Sequence, residues 1–417
     1  MNKTPLQIIL ISTMLAASCN DNTANDKSAQ KQDNARVQYK QGSFGYDLAF
    51  LLQHDSVVVL ETEGGKAQVI VSPKYQAKVF TSTADGKDGM SFGWINYKAF
   101  TGPADAHMNA YGGENRIWLG PEGGKFSLFF PGAAKMEFAN WKTPAAFDTE
   151  AWTVKEETST QVTLQKQMQL TNYAGTRLDL SVTRNIMILN SRQIASQLHI
   201  ATDSPGKVVG YQTDNTITNT GQQAWTEATG MPCIWMLDMF NPSPSTVIII
   251  PYKDDPTDKT AKVATTDYFG EIPADRIKYD QGTLFFKADG KSRGKLGIHP
   301  EKTRPMAGSY DSQNRILTVT LFEVDSSGKY LNQEWNTHKP AFSGDAVNAY
   351  NDGPLANGSQ MGPFFEIESV SPAAFLSPGQ SLSHRHAVFH FTGDEPELDR
   401  ICLKLLGVSL ATVKKAF

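Results

Sequence analysis

The sequence predicts an all-β fold, a sandwich or barrel of short strands finished by one C-terminal helix. Three observations lead there. Apolar, β-branched runs of about four to eight residues recur along the chain. Turn residues punctuate them, with 33 Gly and 21 Pro in 417 residues. No helical apolar period separates the runs, which argues against alternating βαβ units.

In chain order the strands are 57–60, 67–71, 77–80, 162–164, 177–182, 246–250 and 317–322. Glu63-Gly64-Gly65-Lys66 and the stretch from Asp325 to Lys329 read as hairpin turns. The helix is expected over about 394–417. Thr392-Gly393-Asp394-Glu395-Pro396 supplies capping residues and an early Pro, and Leu398, Ile401, Leu405, Val408 and Leu410 follow at roughly helical spacing. Residues 40–417 read as one large β domain. A net charge of −4 argues against a nucleic-acid surface.

The N-terminus reads as an address. Lys3, an apolar run from Ile8 to Leu15 and the small residues Ala16-Ala17-Ser18 make a secretory signal over 1–18. Small residues running directly into Cys19 resemble a bacterial lipobox, with Ala16 where Leu is usual. That resemblance implies a lipid on Cys19. Residues 19–39 are polar and read as a disordered tether. The expectation is a cell-envelope protein, periplasmic or outer-membrane, touching the membrane only through its anchor. Cys233 and Cys402 read as buried thiols rather than a disulfide.

Four stretches carry candidate chemistry. The first, Gly112 to Gly124, packs Glu114, Arg116, Trp118 and Glu122 among Gly and Pro. Carboxylates and guanidinium groups pair with sugar hydroxyls, and an indole covers the apolar side of a pyranose. The plainer alternative is a Gly-rich hairpin with an internal ion pair. The second stretch holds Asp345, Asn348, Asn351 and Asp352, oxygen ligands that suit calcium, or side chains that bond their own turn. Tyr350 beside them suits a sugar. The third is Glu366-Ile367-Glu368, where period two sets both acids on one face. Adjacent carboxylates raise one another's pKa, a setting for acid–base work, whereas two solvated acids would do nothing. The fourth places His384, His386 and His390 on one strand face, a weak metal pattern. His107 and His299 stand alone and read as structural. No metal is assigned.

The order of these motifs resembles the galactose mutarotase-like superfamily, which includes aldose epimerases. Asn115-Arg116-Ile117 with Gly124-Lys125-Phe126-Ser127-Leu128 is similar to its Arg-bearing segment. Phe147-Asp148 with Trp152 is similar to its Phe-Asp step, and Pro378-Gly379 leading to His384 resembles its closing strand. Within the superfamily the chain looks most like an uncharacterised family of envelope lipoproteins of similar length. The resemblance implies a large antiparallel β supersandwich with a carbohydrate ligand in its concave face. It implies Arg116 as a sugar-binding residue and Glu366 or Glu368 as general base. Two departures stand out: Trp141 and Asn215 occupy the places of the superfamily's two histidines. Neither side chain delivers a proton near pH 7, so the acid falls to Glu114 or Glu122. Trp118 and Trp141 would stack on the sugar, with Asn215 and Tyr350 as further contacts. A carbohydrate-active enzyme (epimerase, lyase or hydrolase), a non-catalytic glycan-binding lipoprotein and a structural envelope protein with a lost site all fit these residues.

Overall fold

Two antiparallel sheets face one another in the computed structural model, which describes residues 38–200, 207–254 and 262–417. The eight-stranded sheet runs β1 (Val58–Glu61), β2 (Gln68–Ser72), β3 (Lys78–Thr83), β4 (Asn115–Gly120), β9 (Cys233–Phe240), β17 (Phe365–Val370), β16 (Val347–Asn351) and β13 (Gly294–Ile298). The ten-stranded sheet runs β11 (Ile277–Asp280), β12 (Thr283–Lys287), β10 (Thr246–Pro251), β14 (Met306–Asp311), β15 (Ile316–Phe322), β18 (Ser381–Thr392), β8 (Lys207–Asn219), β7 (Arg177–Ile188), β6 (Gln161–Thr171) and β5 (Thr153–Glu157). Tyr39–Phe417 forms one unit. The expected signal peptide, Cys19 with its expected lipid, and the expected tether up to residue 37 lie outside the described residues. Among the described residues no helix is long and apolar enough to cross a membrane.

The strands expected from sequence are present, and several run longer. β7 continues six residues past Val182, to Ile188. β8 was not legible because its Thr, Asn and Asp content looks like loop. Every second side chain of its C-terminal half is nevertheless buried, including Thr213, Asn215 and Ile217.

The expected C-terminal helix is two helices. α3 (Glu395–Leu406) ends at Gly407, whose φ of +74° is left-handed, and Ser409 caps α4 (Leu410–Lys414). Two helices went unread: α1 (Phe44–Leu51), capped by Ser43, and α2 (Ser191–Leu198), opened by an Asn190/Gln193 capping box.

The helices decide which surfaces stay open. Leu398, Ile401 and Leu406 of α3 pack with Val247, Ile249, Leu317 and Phe389 on the outer face of the ten-stranded sheet. Phe44 and Leu51 of α1 pack on Ile70 and Phe80, covering the β2–β3 end of the eight-stranded sheet. The largest apolar cluster fills the space between the sheets and extends through Trp118, Trp141, Trp235 and Leu237 to the cleft side of the eight-stranded sheet. Across the β4–β13 part of the eight-stranded sheet, the outer face carries a cleft.

A polar chain also runs between the sheets. Arg184 on β7 donates to Asn215 Oδ1 at 3.2 Å and to Asn115 Oδ1. Asn115 Nδ2 donates to Asp238 Oδ1 at 2.6 Å, and Asp238 Oδ2 meets His386 Nε2 at 2.7 Å. Ser369 Oγ joins His386 Nδ1 and His384 Nε2. Burial lowers Arg184 to about 10 and, with neighbouring His386, lowers His384 to about 3. Buried polar groups persist when paired in this way. Cys233 and Cys402 are free and buried.

Candidate functional site

Strand alternation builds the floor of the cleft. Arg116 and Trp118 on β4, Trp235, Leu237 and Met239 on β9, Glu366 on β17, Tyr350 on β16 and Lys295 on β13 all line it. The ladder sets their spacing: Arg116 lies opposite Leu237, Trp118 opposite Trp235, Met239 opposite Glu366, Glu366 opposite Tyr350, and Tyr350 opposite Lys295. The cleft holds about 450 Å³, within the size range of small-molecule sites. Loops supply the walls, with His107, Glu122, Phe138, Trp141, Phe269 and Trp335 among the lining residues.

Both acids of the Glu366–Glu368 stretch take a cation from two strands away. Arg116 reaches across β9 to ion-pair with Glu366. Lys295 reaches across β16 from the other side, its Nζ 3.0 Å from Glu368 Oε2, and Trp235 Nε1 donates to the same oxygen at 2.8 Å. The cations lie over the aromatic floor, Arg116 at 5.3 Å from the Trp118 ring centre and Lys295 at 4.6 Å from that of Trp235. Glu366 opens to the cleft, and Glu368 is fully buried beside it.

Burial pushes Glu366 up to about 7; Arg116 opposes the shift and Glu368 adds to it. Burial also raises Glu122, against the pull of Lys295. Desolvation works against charge on Lys295, but Glu368, Glu122 and Glu366 outweigh it and its pKa is raised. Beside the cleft, Lys78 lies in a recess shared with Arg116 and Trp118. Its Nζ donates to Gly112 O at 3.0 Å, and burial, reinforced by Arg116, lowers it to about 7.

Glu122 is placed by backbone-to-backbone packing. Gly123 N donates to Gln333 O at 3.1 Å, and a Cβ on Gly123 would lie 2.1 Å from Glu334 O, so only glycine fits. This contact brings Trp335 to the cleft, its ring stacked 6.1 Å from Trp141. The indole N–H of Trp118 and Nε of Arg116 complete no hydrogen bond within the chain. The indole N–H groups of Trp141 and Trp335 lie near enough to Glu122 to favour its anion, although burial dominates. Unpaired buried donors are costly, so two of them beside one cleft suit an acceptor-rich ligand.

Of the residues singled out in the sequence, Arg116, Trp118, Glu122, Trp141, Tyr350 and Glu366 meet at this cleft, and Glu368 is tied to it through Lys295. Two do not. Glu114 is fully buried between the sheets, accepting from Ser82 Oγ at 2.7 Å and meeting His390 Nε2 at 3.0 Å. It precedes β4 beside Gly113 at φ +122°, where strand alternation has not begun. Asn215 belongs to β8 of the other sheet and serves Arg184.

The proposed calcium ligands are engaged by donors of the chain itself. Asp345 Oδ2 and Asn348 Oδ1 both accept from the Tyr268 hydroxyl, Asn351 Oδ1 accepts from Gly290 N, and Asp352 accepts from Tyr350 and Gly362. Among the described residues no group of three or more His, Cys, Asp or Glu is placed to hold a metal. His107, expected as a lone structural residue, stands on the cleft wall with Nδ1 2.6 Å from Trp141 O.

Lys295, Trp235, Trp335, Arg293 and Phe269 were missed. Trp235 lies in an almost wholly apolar strand, buried on both faces, where period two is invisible. Lys295 did leave a signal, a single charge in the strand Gly-Lys-Leu-Gly-Ile.

The two facing antiparallel sheets form a large β-sandwich with a cleft on the outer face of the eight-stranded sheet. In fold the chain is similar to the Slr1438 protein from Synechocystis sp. PCC 6803, at 14% identity and a TM-score of 0.50, over 81% of this chain and 96% of that one. It is also similar to a galactose mutarotase-like protein from Lactobacillus casei ATCC 334, at 12% identity and a TM-score of 0.47, over 80% and 100% of the two chains. A third is a galactose mutarotase related enzyme from Lactobacillus acidophilus, at 8% identity and a TM-score of 0.45, over 81% and 97%. At these identities the likeness is one of fold. The chain belongs to a family of unknown function (DUF6786), whose model matches residues 42–417. No curated protein matches it.

Proposed function

We propose that this is a carbohydrate-active enzyme that binds a sugar in the cleft on the outer face of the eight-stranded sheet, with Glu366 as general base and Glu122 as proton donor. One observation carries the reading: Glu366, raised to about 7 by burial, opens into an indole-walled cleft where Trp118 N–H and Arg116 Nε lack partners. A base poised near the working pH is half ionised and still strong enough to take a proton. Glu122, also raised by burial, holds its proton to higher pH than a free carboxyl and so can give it to a leaving or ring oxygen. Arg116 orients Glu366 and offers its free Nε to a hydroxyl or carboxylate, while Trp118 and Trp141 cover the apolar face of the ring. The reaction is of epimerase, lyase or hydrolase type.

Binding without turnover is the second reading. The ion pairs that occupy both Glu366 and Glu368 favour it. In either case a lipid on Cys19 would hold the domain at the cell envelope.

The test is calorimetric titration against a panel of neutral sugars and uronic acids, followed by product analysis with the ligands that bind. The proposal expects turnover that falls at least tenfold in Glu366→Gln. Binding with no turnover supports the second reading, and no binding across the panel defeats both.

A further inference from the structure

The rim of the cleft carries more apolar surface than a single sugar ring can use. Among the described residues nine large hydrophobic side chains are exposed, and four of them line this cleft: Phe138 at 61%, Leu355 at 45%, Met361 at 42% and Phe269 at 37%. Exposed apolar groups gathered at one place mark a binding surface.

The two aromatic members sit on opposite flanks. Phe138 stacks on Trp141 at 6.1 Å, and Trp141 lies 6.5 Å from Trp118 of β4. Phe269 has the Arg293 guanidinium 3.8 Å above its ring and lies 6.0 Å from Tyr350 of β16, while Arg293 immediately precedes β13. Between these flanks run β9, β17 and β16, and β17 carries Glu366 and Glu368 at the middle of the floor. From β4 to β13 is four strand spacings, about 19 Å. A single pyranose over the acids would leave both platforms empty.

We infer that the ligand is an oligosaccharide lying across the strands, with its outer units on Phe138 and Phe269 and an internal unit over Glu366. This rests on the carbohydrate reading above and extends it from a sugar to a sugar chain, with any chemistry directed at an internal linkage. The floor argues for a sugar chain over an apolar partner. Two ion pairs and the unpartnered donors of Trp118 and Arg116 suit a polyhydroxylated ligand with two apolar ring faces.

The experiment is calorimetric titration of the intact protein with cello-, manno-, chito- and galacturono-oligosaccharides of one to four units. For the series that binds, the trisaccharide should bind at least tenfold more tightly than the monosaccharide. Phe138→Ala and Phe269→Ala should each weaken the trisaccharide more than the monosaccharide and so flatten the dependence on length. Both side chains are exposed, and thermal melts should match wild type. A monosaccharide that binds as tightly as its longer homologues overturns the inference and leaves the carbohydrate reading standing. Loss of binding at every length overturns both.

Discussion

Replacing Glu366 with Gln should change how stability depends on pH, whatever the ligand. The folded-state pKa of Glu366 is raised from 4.5 to about 7. The folded protein therefore favours the protonated acid. The stability that this preference contributes is fully present below pH 4.5 and is lost as pH rises through about 7. One pKa unit corresponds to about 1.36 kcal/mol, so the shift is worth about 3 kcal/mol at pH 7 and above. Glutamine cannot ionise, and the variant should lack this component. Urea unfolding at intervals from pH 4 to pH 8 measures it. The difference in unfolding free energy between wild type and Glu366→Gln should move by about 3 kcal/mol in favour of the variant as pH rises. A constant difference across that range would show that Glu366 titrates normally and would remove the physical basis for its role as a base.

Three further outcomes are expected, two from the same geometry and one from the lipobox-like sequence at Cys19. Lys295→Met should destabilise the protein by about 3–5 kcal/mol, because Glu368 is left buried and charged without its cation; the double variant with Glu368→Gln should recover most of the loss in the same urea assay. Trp335→Phe keeps an aromatic ring and removes the N–H beside Glu122, so ligand affinity should fall by about two- to tenfold in calorimetry. Cys19→Ser in the full chain should abolish incorporation of labelled fatty acid and move the protein from the membrane to the soluble fraction.

Much of the site was legible because period two is a hard constraint. It set Glu366 and Glu368 on one face, and the ladder places both there, opposite Met239 and Leu237. Arg116 and Glu366 are 250 positions apart and in contact. What sequence reading lost follows from where that constraint weakens. Counting back from Arg116 would keep Glu114 on the cleft side, but Gly113 turns the chain just before β4 and Glu114 points inward. Asn215 lies in a polar stretch whose burial comes only from the facing sheet, so nothing local shows that it serves Arg184. Trp335 reaches the cleft because its loop packs against Gly123, a contact between segments about two hundred positions apart that no local pattern encodes. The C-terminal helix was read from its apolar spacing, which continues through Gly407 although the helix does not.

A crystal structure of the protein with the tightest ligand from the oligosaccharide panel tests the central claim most directly. It should show a sugar ring over Trp118 and Trp141, with oxygens within hydrogen-bond distance of Arg116 and Glu366. A ligand bound elsewhere on the molecule, with this cleft holding only solvent, would contradict it.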